Sequence, residues 1–405
     1  MLTKVTINNY KSLKGIELSL RPLTVFVGPN NAGKSNLIDC FRFLQDLIQK
    51  AEGAVSSRGG FHQIIHNGDL KETLDINISG ISDIYQDVAY NYVLNLVGRE
   101  YGSYVINKET LFASPILKDG GGSCSKIAKD LIPNGRMLLE YPSTDPKSRN
   151  AKVSAPDGTR LGDWGQDNRF SYLNLVKEAQ RYPILGEFAQ SIEKWGFYKV
   201  ASQTLTKPVQ IIKQLRINED GSNTAAVLHI ARNEHFDGFK QIEEYLKEAV
   251  PELEELRTEI SEGAVGNTHI AIKEKGSDMS IPSWNMSDGT LRFIALLTIL
   301  LNPKPTPLIC IEEPENHLHP GLMELLAHVL KQASEKTQVL VTTHSPYLLN
   351  HLKPKDVVIV TKKDGHTEVK EMSKTAGLQE ALKVLGLGEL WLGDSDLGGT
   401  TPVGD

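Results

Sequence analysis

Residues Gly28 to Ser35 read GPNNAGKS and fit the pattern G-x-x-x-x-G-K-[ST] in full. The chemistry such a stretch performs is phosphate binding. Backbone N–H groups of the glycine-rich turn, and the first turn of a helix behind it, converge on phosphate oxygens. The lysine reaches the β- and γ-phosphates and the hydroxyl after it ligates Mg²⁺. Gly28, Pro29, Asn30, Asn31, Ala32 and Gly33 would therefore wrap the phosphates, Lys34 would neutralise them, Ser35 would hold the metal, and Asn36 would open the helix beside them. The competing reading is a tight glycine turn that binds nothing.

Three further stretches carry side chains that a bound triphosphate needs. LICIEEPENHLHP, Leu308 to Pro320, aims glutamates out of the end of an apolar run. A phosphate-bound Mg²⁺ takes a carboxylate from the end of a neighbouring parallel strand, where ligands of open α/β sheets gather. Glu312 is the first residue out of that strand, although Asp is commoner in the role. Glu313 is then placed to orient and deprotonate the attacking water, and Glu315 falls in the loop beyond. His317 and His319 beside these acids suggest either a second metal site or ordinary loop residues. QVLVTTHSP, Gln338 to Pro346, is a second buried run with His344 at its tip, either a γ-phosphate sensor or a plain cap. NMSDGTLRF, Asn285 to Phe293, sets Ser287, Asp288 and Gly289 at a helix start. That arrangement binds anions and is equally an ordinary N-cap.

The elements that must hold these residues follow from periodicity. Residues 1–28 alternate apolar and polar in three short runs, and the third ends at Gly28. A helix opens at about Gly33, with Leu37, Ile38, Phe41, Leu44 and Ile48 on one stripe. Residues 52 to about 200 are irregular, with glycine-rich breaks at SSRGG and KDGGGS, and read as an insertion of mixed structure. Residues 223 to 257 read as helical. From 289 onward helices alternate with strands at Pro307–Ile311, Gln338–Thr342 and Asp356–Thr361, the mark of an α/β fold with a parallel core.

The chain has 405 residues, 40% hydrophobic and 23% charged, ample for a large domain or two or three smaller ones. With a formal net charge of −6, nucleic acid would have to be met by a local patch. Between Lys194 and Arg216 five bases, Lys194, Lys199, Lys207, Lys213 and Arg216, occur with no acid and with Trp195, Phe197 and Tyr198 among them. They are candidates for DNA contact, against the alternative of a solvated edge. Three cysteines without metal spacing suit a reducing compartment. The longest apolar stretch, Phe293 to Leu301, is too short to span a bilayer, and a cytoplasmic location without membrane partners is expected.

In chain order, the P-loop, the S-D-G helix, the E-E strand and T-H-S resemble the ATP-binding cassette-type ATPases of the SMC/RecF class. They are more narrowly similar to RecF-like predicted ATPases and to the ATPase half of OLD family nucleases. VTINNYKSLKGIELSL near the start and GSNTAAVL at 221–228 share that likeness. The resemblance implies an ABC-type P-loop NTPase head with an N-terminal antiparallel β-layer and a mixed sheet with a parallel core. Residues 1–51 and 200–405 would form the head and 52–199 a helical or mixed insertion. It further implies two heads sandwiching two ATP molecules with Mg²⁺, in a homodimer or higher even oligomer. Lys34 and Glu313 of one head would face Ser287, Asp288 and Gly289 of the other. Lys11 sits where the group carries a base near the nucleotide, and Gln63 is the candidate metal-contacting lid glutamine.

OLD nucleases continue into a TOPRIM domain. Asp394 and Asp396 have a D-x-D spacing, but the residues after His344 are too few for that domain's βα units. The expected function is an ATPase switch acting on a separate nuclease or other effector, in anti-phage defence or DNA repair. A scaffold that binds ATP without hydrolysing it, and a transporter motor, are the alternatives.

Overall fold

The computed structural model describes residues 1–50, 53–84, 87–99, 102–116, 136–141, 151–154, 160–164, 171, 173, 183–261 and 266–393, without the side chains of 136–137, 151–154, 160–164 and 183. Asp394, Asp396 and the KDGGGS break lie outside the described residues. The chain divides into two compact units. The first comprises Met1–Arg21, Pro29–Trp195 and Ile359–Lys370, the second Pro22–Gly28, Gly196–Val358 and Glu371–Asp405.

The first unit is built on one eight-stranded antiparallel sheet. Its strands are β1 (Leu2–Asn8), β2 (Ile16–Ser19), β4 (Thr73–Ile81), β5 (Val88–Gly98), β6 (Tyr104–Pro115), β7 (Arg136–Tyr141), β8 (Ala151–Ser154) and β9 (Arg160–Trp164), in the order β2-β1-β4-β5-β6-β7-β8-β9. The segment expected as an insertion thus extends the N-terminal β-layer through β1–β4 pairing, Val5 opposite Ile78 and Ile7 opposite Ile76. β4 shows why: its residues alternate half-buried and buried, so one face packs while the other meets solvent. Helix α1 (Lys34–Lys50) buries the stripe read from the sequence, with Leu37, Ile38, Phe41, Leu44 and Ile48 at 2% exposure or less. The Gln45 amide on α1 donates to the carbonyls of Ile192, Glu193 and Trp195, tying α1 to the end of helix α2 (Pro183–Glu193).

The second unit contains a parallel sheet whose strands run β10 (Gly196–Tyr198), β15 (Leu308–Glu312), β16 (Gln338–Thr343) and β3 (Leu23–Val27). β16 is buried at all six positions, as a strand with parallel neighbours on both sides must be. A smaller antiparallel sheet joins β11 (Val209–Gln210), β13 (Asn267–Glu274) and β12 (Leu253–Ile260), and β14 (Ser280–Pro282) also pairs with β13. Helices α3 (Thr224–Glu234), α4 (Phe236–Ala249), α5 (Asp288–Leu300) and α6 (Met323–Ala333) complete the core. α5 is apolar almost all round, and its residues Leu291 to Leu300 are all buried.

The helical reading of 223–257 needs correction. α4 stops at Ala249, ahead of Pro251, and Leu253 to Ile260 form β12. Proline offers no N–H and disfavours helix in the residue before it. Beyond it Leu253, Leu256 and Thr258 turn inward on a strand paired along its length with β13. Two more strands, β17 (Val357–Lys363) and β18 (His366–Glu371), end the described β-structure.

Core position and surface position should separate cleanly on mutation. Leu297→Ala, at a fully buried site on α5, is expected to lower unfolding free energy by about 2–5 kcal/mol. Val384→Ser, at an 83% exposed site, should stay within about 0.5 kcal/mol. Urea unfolding of both variants checks the contrast.

Candidate functional site

In the first unit, Pro29 to Ser35 form the loop that precedes α1. Asn31 (φ 63°) and Gly33 (φ 109°) take left-handed backbone conformations, which turns the chain back on itself. Ala32 N–H donates to the Pro29 carbonyl at 3.3 Å, and the buried Lys34 ammonium donates to that carbonyl at 3.0 Å. Lys34 thereby lies folded inside its own loop. Ser35 is exposed at the first turn of α1, Asn30 and Asn31 are exposed, and Gly28, at the end of β3, is buried.

Two of the candidates beside the loop have other partners. Asn36 Nδ2 donates to Ser12 Oγ at 2.7 Å. Lys11 Nζ lies 2.5 Å from Asp39 Oδ2 on α1. The same carboxylate accepts hydrogen bonds from the Tyr10 hydroxyl and the Arg58 guanidinium, while Arg58 also bridges to Asp46 at 2.9 Å. Burial pushes the Asp39 carboxyl up, but the Arg58, Lys11 and Tyr10 contacts outweigh it and hold the carboxyl below its usual range. The structure therefore uses NNYK to fasten the N-terminal segment onto α1. Gln63 is exposed on a single helical turn, Phe61–Ile64.

In the second unit the acids and His344 come together. β15 and β16 are in register, with Glu312 opposite Thr342, and β16 is in register with β3, Thr343 opposite Val27. Three carboxyl ends thus lie side by side, one carrying Glu312 and Glu313, the next His344, the third Gly28. Glu313 Oε1 lies 3.5 Å from His344 Nδ1, and Asn316 Nδ2 donates to Glu313 Oε2 at 2.7 Å. Both Glu313 and His344 side chains remain partly exposed, at 35% and 44%.

Glu313 has φ 48°, a conformation that costs a non-glycine residue about 1–3 kcal/mol. Its neighbours impose it. Its N–H donates to the Thr342 carbonyl at 2.9 Å, and its carbonyl accepts from Arg292 at 3.2 Å and from Asn316 N–H at 3.2 Å. Arg292, on α5, is buried and also donates to the Val200 carbonyl. Burial pulls its pKa down, against the opposing pull of Glu315, Glu313 and Asp288.

Glu315 sits in the loop after β15, but buried, at 8% exposure. Its Oε1 accepts from Thr343 Oγ1 at 2.5 Å and from His344 N–H at 3.1 Å, while Oε2 has no partner. Burial raises the pKa of this carboxyl despite those donors. Glu315 thus ties the loop after β15 to the loop after β16, and so sets where Glu313 and His344 meet.

Ser287 caps α5, its Oγ accepting from Thr290 N–H at 3.1 Å. The N-cap half of the earlier alternative is what the structure shows; a capped helix still has first-turn N–H groups without intrahelical partners. A cavity of about 450 Å³ opens at this helix start, lined by Ser287, Asp288, Gly289, Thr290, His317 and His319 among others. A Cβ on Gly289 would lie 2.6 Å from the His317 carbonyl oxygen, so close packing requires glycine. His317 and His319 are wall residues: among the described residues no three His, Cys, Asp or Glu side chains cluster as a metal site. Mg²⁺ on a nucleotide needs only one or two carboxylates beside phosphate and water, a demand that Glu312 and the Ser35 hydroxyl match in type.

Lys194, Lys199, Lys207, Lys213 and Arg216 are all exposed. Lys194 belongs to the first unit and the other four to the second. Lys213 pairs with Glu234 at 2.7 Å. Trp195, Phe197 and Tyr198 are buried at 2%, 2% and 6% exposure and present no face for stacking on bases.

Two family models match the chain: "AAA ATPase domain" over residues 1–123, and "AAA domain, putative AbiEii toxin, Type IV TA system" over residues 176–350. The chain is 26% identical over 405 residues to the retron Vc95 probable ATPase of Vibrio cholerae serotype O1 biovar El Tor, covering 90% of this chain and 74% of that one. It is 23% identical over 399 residues to the Old nuclease of Escherichia phage P2, covering 90% of this chain and 60% of that one. Among solved structures it is similar to an Smc head bound to the C-winged helix domain of ScpA, with TM-score 0.50 and 15% identity over 95% of this chain and 99% of the other. The fold is that of the SMC-head P-loop ATPases. The two ATPase family models and the two relatives make the chain similar to the SMC/RecF/OLD-like ATPases.

Ser12 and Thr367 in the first unit, and Arg292 and Glu315 behind Glu313 and His344 in the second, had no assigned role in the sequence reading. Ser12 stands in the NNYKS stretch and Arg292 in SDGTLR, so both lay inside quoted motifs; Thr367 carried no signal. Glu315→Ala should destabilise the protein by about 1–3 kcal/mol, because it leaves the buried Thr343 hydroxyl and His344 N–H without an acceptor. Glu315→Gln, which keeps the acceptor oxygen, should lose clearly less. Thermal unfolding of the pair tests this.

Proposed function

We propose that this protein binds Mg-ATP and hydrolyses it, closing as a dimer on the bound nucleotide and opening after turnover, to control a separate nuclease or other DNA-processing partner. The reading is carried by the Glu313–His344 pair at the carboxyl ends of β15 and β16, in one sheet with the strand that leads into GPNNAGKS. In this mechanism Lys34 and the loop N–H groups hold the phosphates and Ser35 and Glu312 hold Mg²⁺. Glu313 would take a proton from the attacking water, and His344, with Nδ1 3.5 Å from the same carboxylate, would face the γ-phosphate. When bound, Mg²⁺ supplies neutralisation of the charge that develops on the transferring phosphoryl group. The strained Glu313 backbone, held from three sides, supports a placed base rather than a surface acid.

The second subunit would present the capped start of α5, with Ser287 and Gly289, to the partner's nucleotide. The open cavity at that helix start supports the assignment. A role in anti-phage defence or DNA repair, with DNA met by the exposed bases between Lys194 and Arg216, is proposed by kinship with a retron ATPase and a phage Old nuclease. No helix among the described residues is long and apolar enough to cross a membrane.

Glu313→Gln is expected to cut ATP turnover by at least about 100-fold, the usual worth of a general base, while ATP binding persists and dimers accumulate in size-exclusion chromatography. Full turnover by that variant would remove Glu313 from the mechanism.

A further inference from the structure

Ser12 and Thr367 lie outside every role assigned above, yet both touch the phosphate loop. Thr367, on β18, is 1% exposed. Its Oγ1 lies 2.9 Å from the Ala32 carbonyl oxygen and 2.7 Å from Ser12 Oγ. Ser12 Oγ in turn accepts from Asn36 Nδ2 at 2.7 Å. Thr367 N–H also donates to the Ser12 carbonyl at 2.8 Å, which locks the two residues in register.

The protons in this chain can be counted. A carbonyl oxygen only accepts, so Thr367 uses its single hydroxyl proton on Ala32. Ser12 must then donate to Thr367 Oγ1, and it takes the Asn36 amide proton on a lone pair. The result is a one-way chain from Asn36 through Ser12 and Thr367 to Ala32. It grips the loop at both ends, just before Gly33 and at the first turn of α1.

Carbonyl and N–H of a trans peptide point to opposite sides. Anchoring the Ala32 carbonyl on Thr367 therefore turns the Gly33 N–H away from Thr367. Gly33 itself adopts φ 109°, and a Cβ there would lie 2.0 Å from Thr367 Oγ1 and 3.0 Å from Ser12 Oγ. Glycine is needed at this position partly so that the hydroxyl pair can come that close.

We propose that Ser12 and Thr367 are positioning residues for nucleotide binding, a hydroxyl brace behind the phosphate loop that presets the Gly33 N–H for a phosphate oxygen. This rests on the nucleotide-binding reading above. It assigns a task in that site to a residue 335 positions away from Ala32 in the chain.

The test uses the full chain and Mg-ADP. Thr367→Val keeps the shape and removes the donor, and its affinity by calorimetry should fall roughly five- to tenfold, the effect of one hydrogen bond. Thr367→Ser should restore it, with both variants melting close to the unaltered protein. A strap with no part in binding would instead lower the melting temperature and leave affinity alone. If the unaltered chain binds Mg-ADP and Thr367→Val binds it equally well, the brace is overturned by itself. If the unaltered chain does not bind, the nucleotide reading fails and takes the brace with it. Should Thr367→Val not fold, Ser12→Ala, which removes the middle of the chain, is expected to weaken Mg-ADP two- to threefold; unchanged affinity there overturns the proposal as well.

Discussion

The parallel register of β3, β16 and β15 is the constraint on which the rest of the molecule depends. The interiors of these strands are buried, β3 and β16 at every position, so polar side chains can leave them only at the ends. Because neighbouring strands run the same way and pair in register, those ends fall on one edge. Glu312, His344 and Gly28 are far apart in the chain and become neighbours in the sheet for this reason alone. Burial of apolar surface at roughly 25 cal/mol per Å² drives the strands together, and the chemistry collects where that burial stops.

A second consequence is that the loops beyond the strand ends need polar support from inside the protein. Glu315 and Arg292 provide it, and at a cost. Each is a charged group removed from water, and each retains an unpartnered atom, Glu315 Oε2 and Arg292 Nε. Such groups are costly to bury and are retained where they specify a single arrangement. Here the arrangement specified is a left-handed Glu313 with its carboxylate toward His344. The brace of Ser12 and Thr367 does similar work for the phosphate loop, with neutral hydroxyls in place of charges.

Much of the molecule was legible in one dimension. The P-loop could be read because its backbone demands glycine at fixed offsets and its ligand demands a lysine next to a hydroxyl. β15, β16 and α5 could be read because a fully buried element has to be apolar along its whole length. β12 was misread as helix, since the leucines of LEELR are three apart, a helical spacing; on the strand a register shift between Leu253 and Glu255 lets both turn inward. The aromatic residues at 195–198 lie among lysines in the sequence; in the fold all three are buried while Lys194 and Lys199 on either side are exposed. Strand β4 gave a weak local signal because every second residue is only half-buried, and its continuity with β1 is a matter of edge pairing.

What the residues determined unaided is what depends on neighbours in sequence: a glycine-rich turn of P-loop pattern, acids at a strand end, a capped helix start. These are short-range properties, set by backbone dihedrals and side-chain type within a few positions. What only the tertiary structure decided is which of those groups meet and what holds them. The Glu313–His344 pairing, the Glu315 tie between two loops, the diversion of Lys11 to Asp39 and the reach of Thr367 to Ala32 all join residues whose separation in the chain carries no information about their separation in space. Long-range packing sets those distances, and a linear pattern does not encode it.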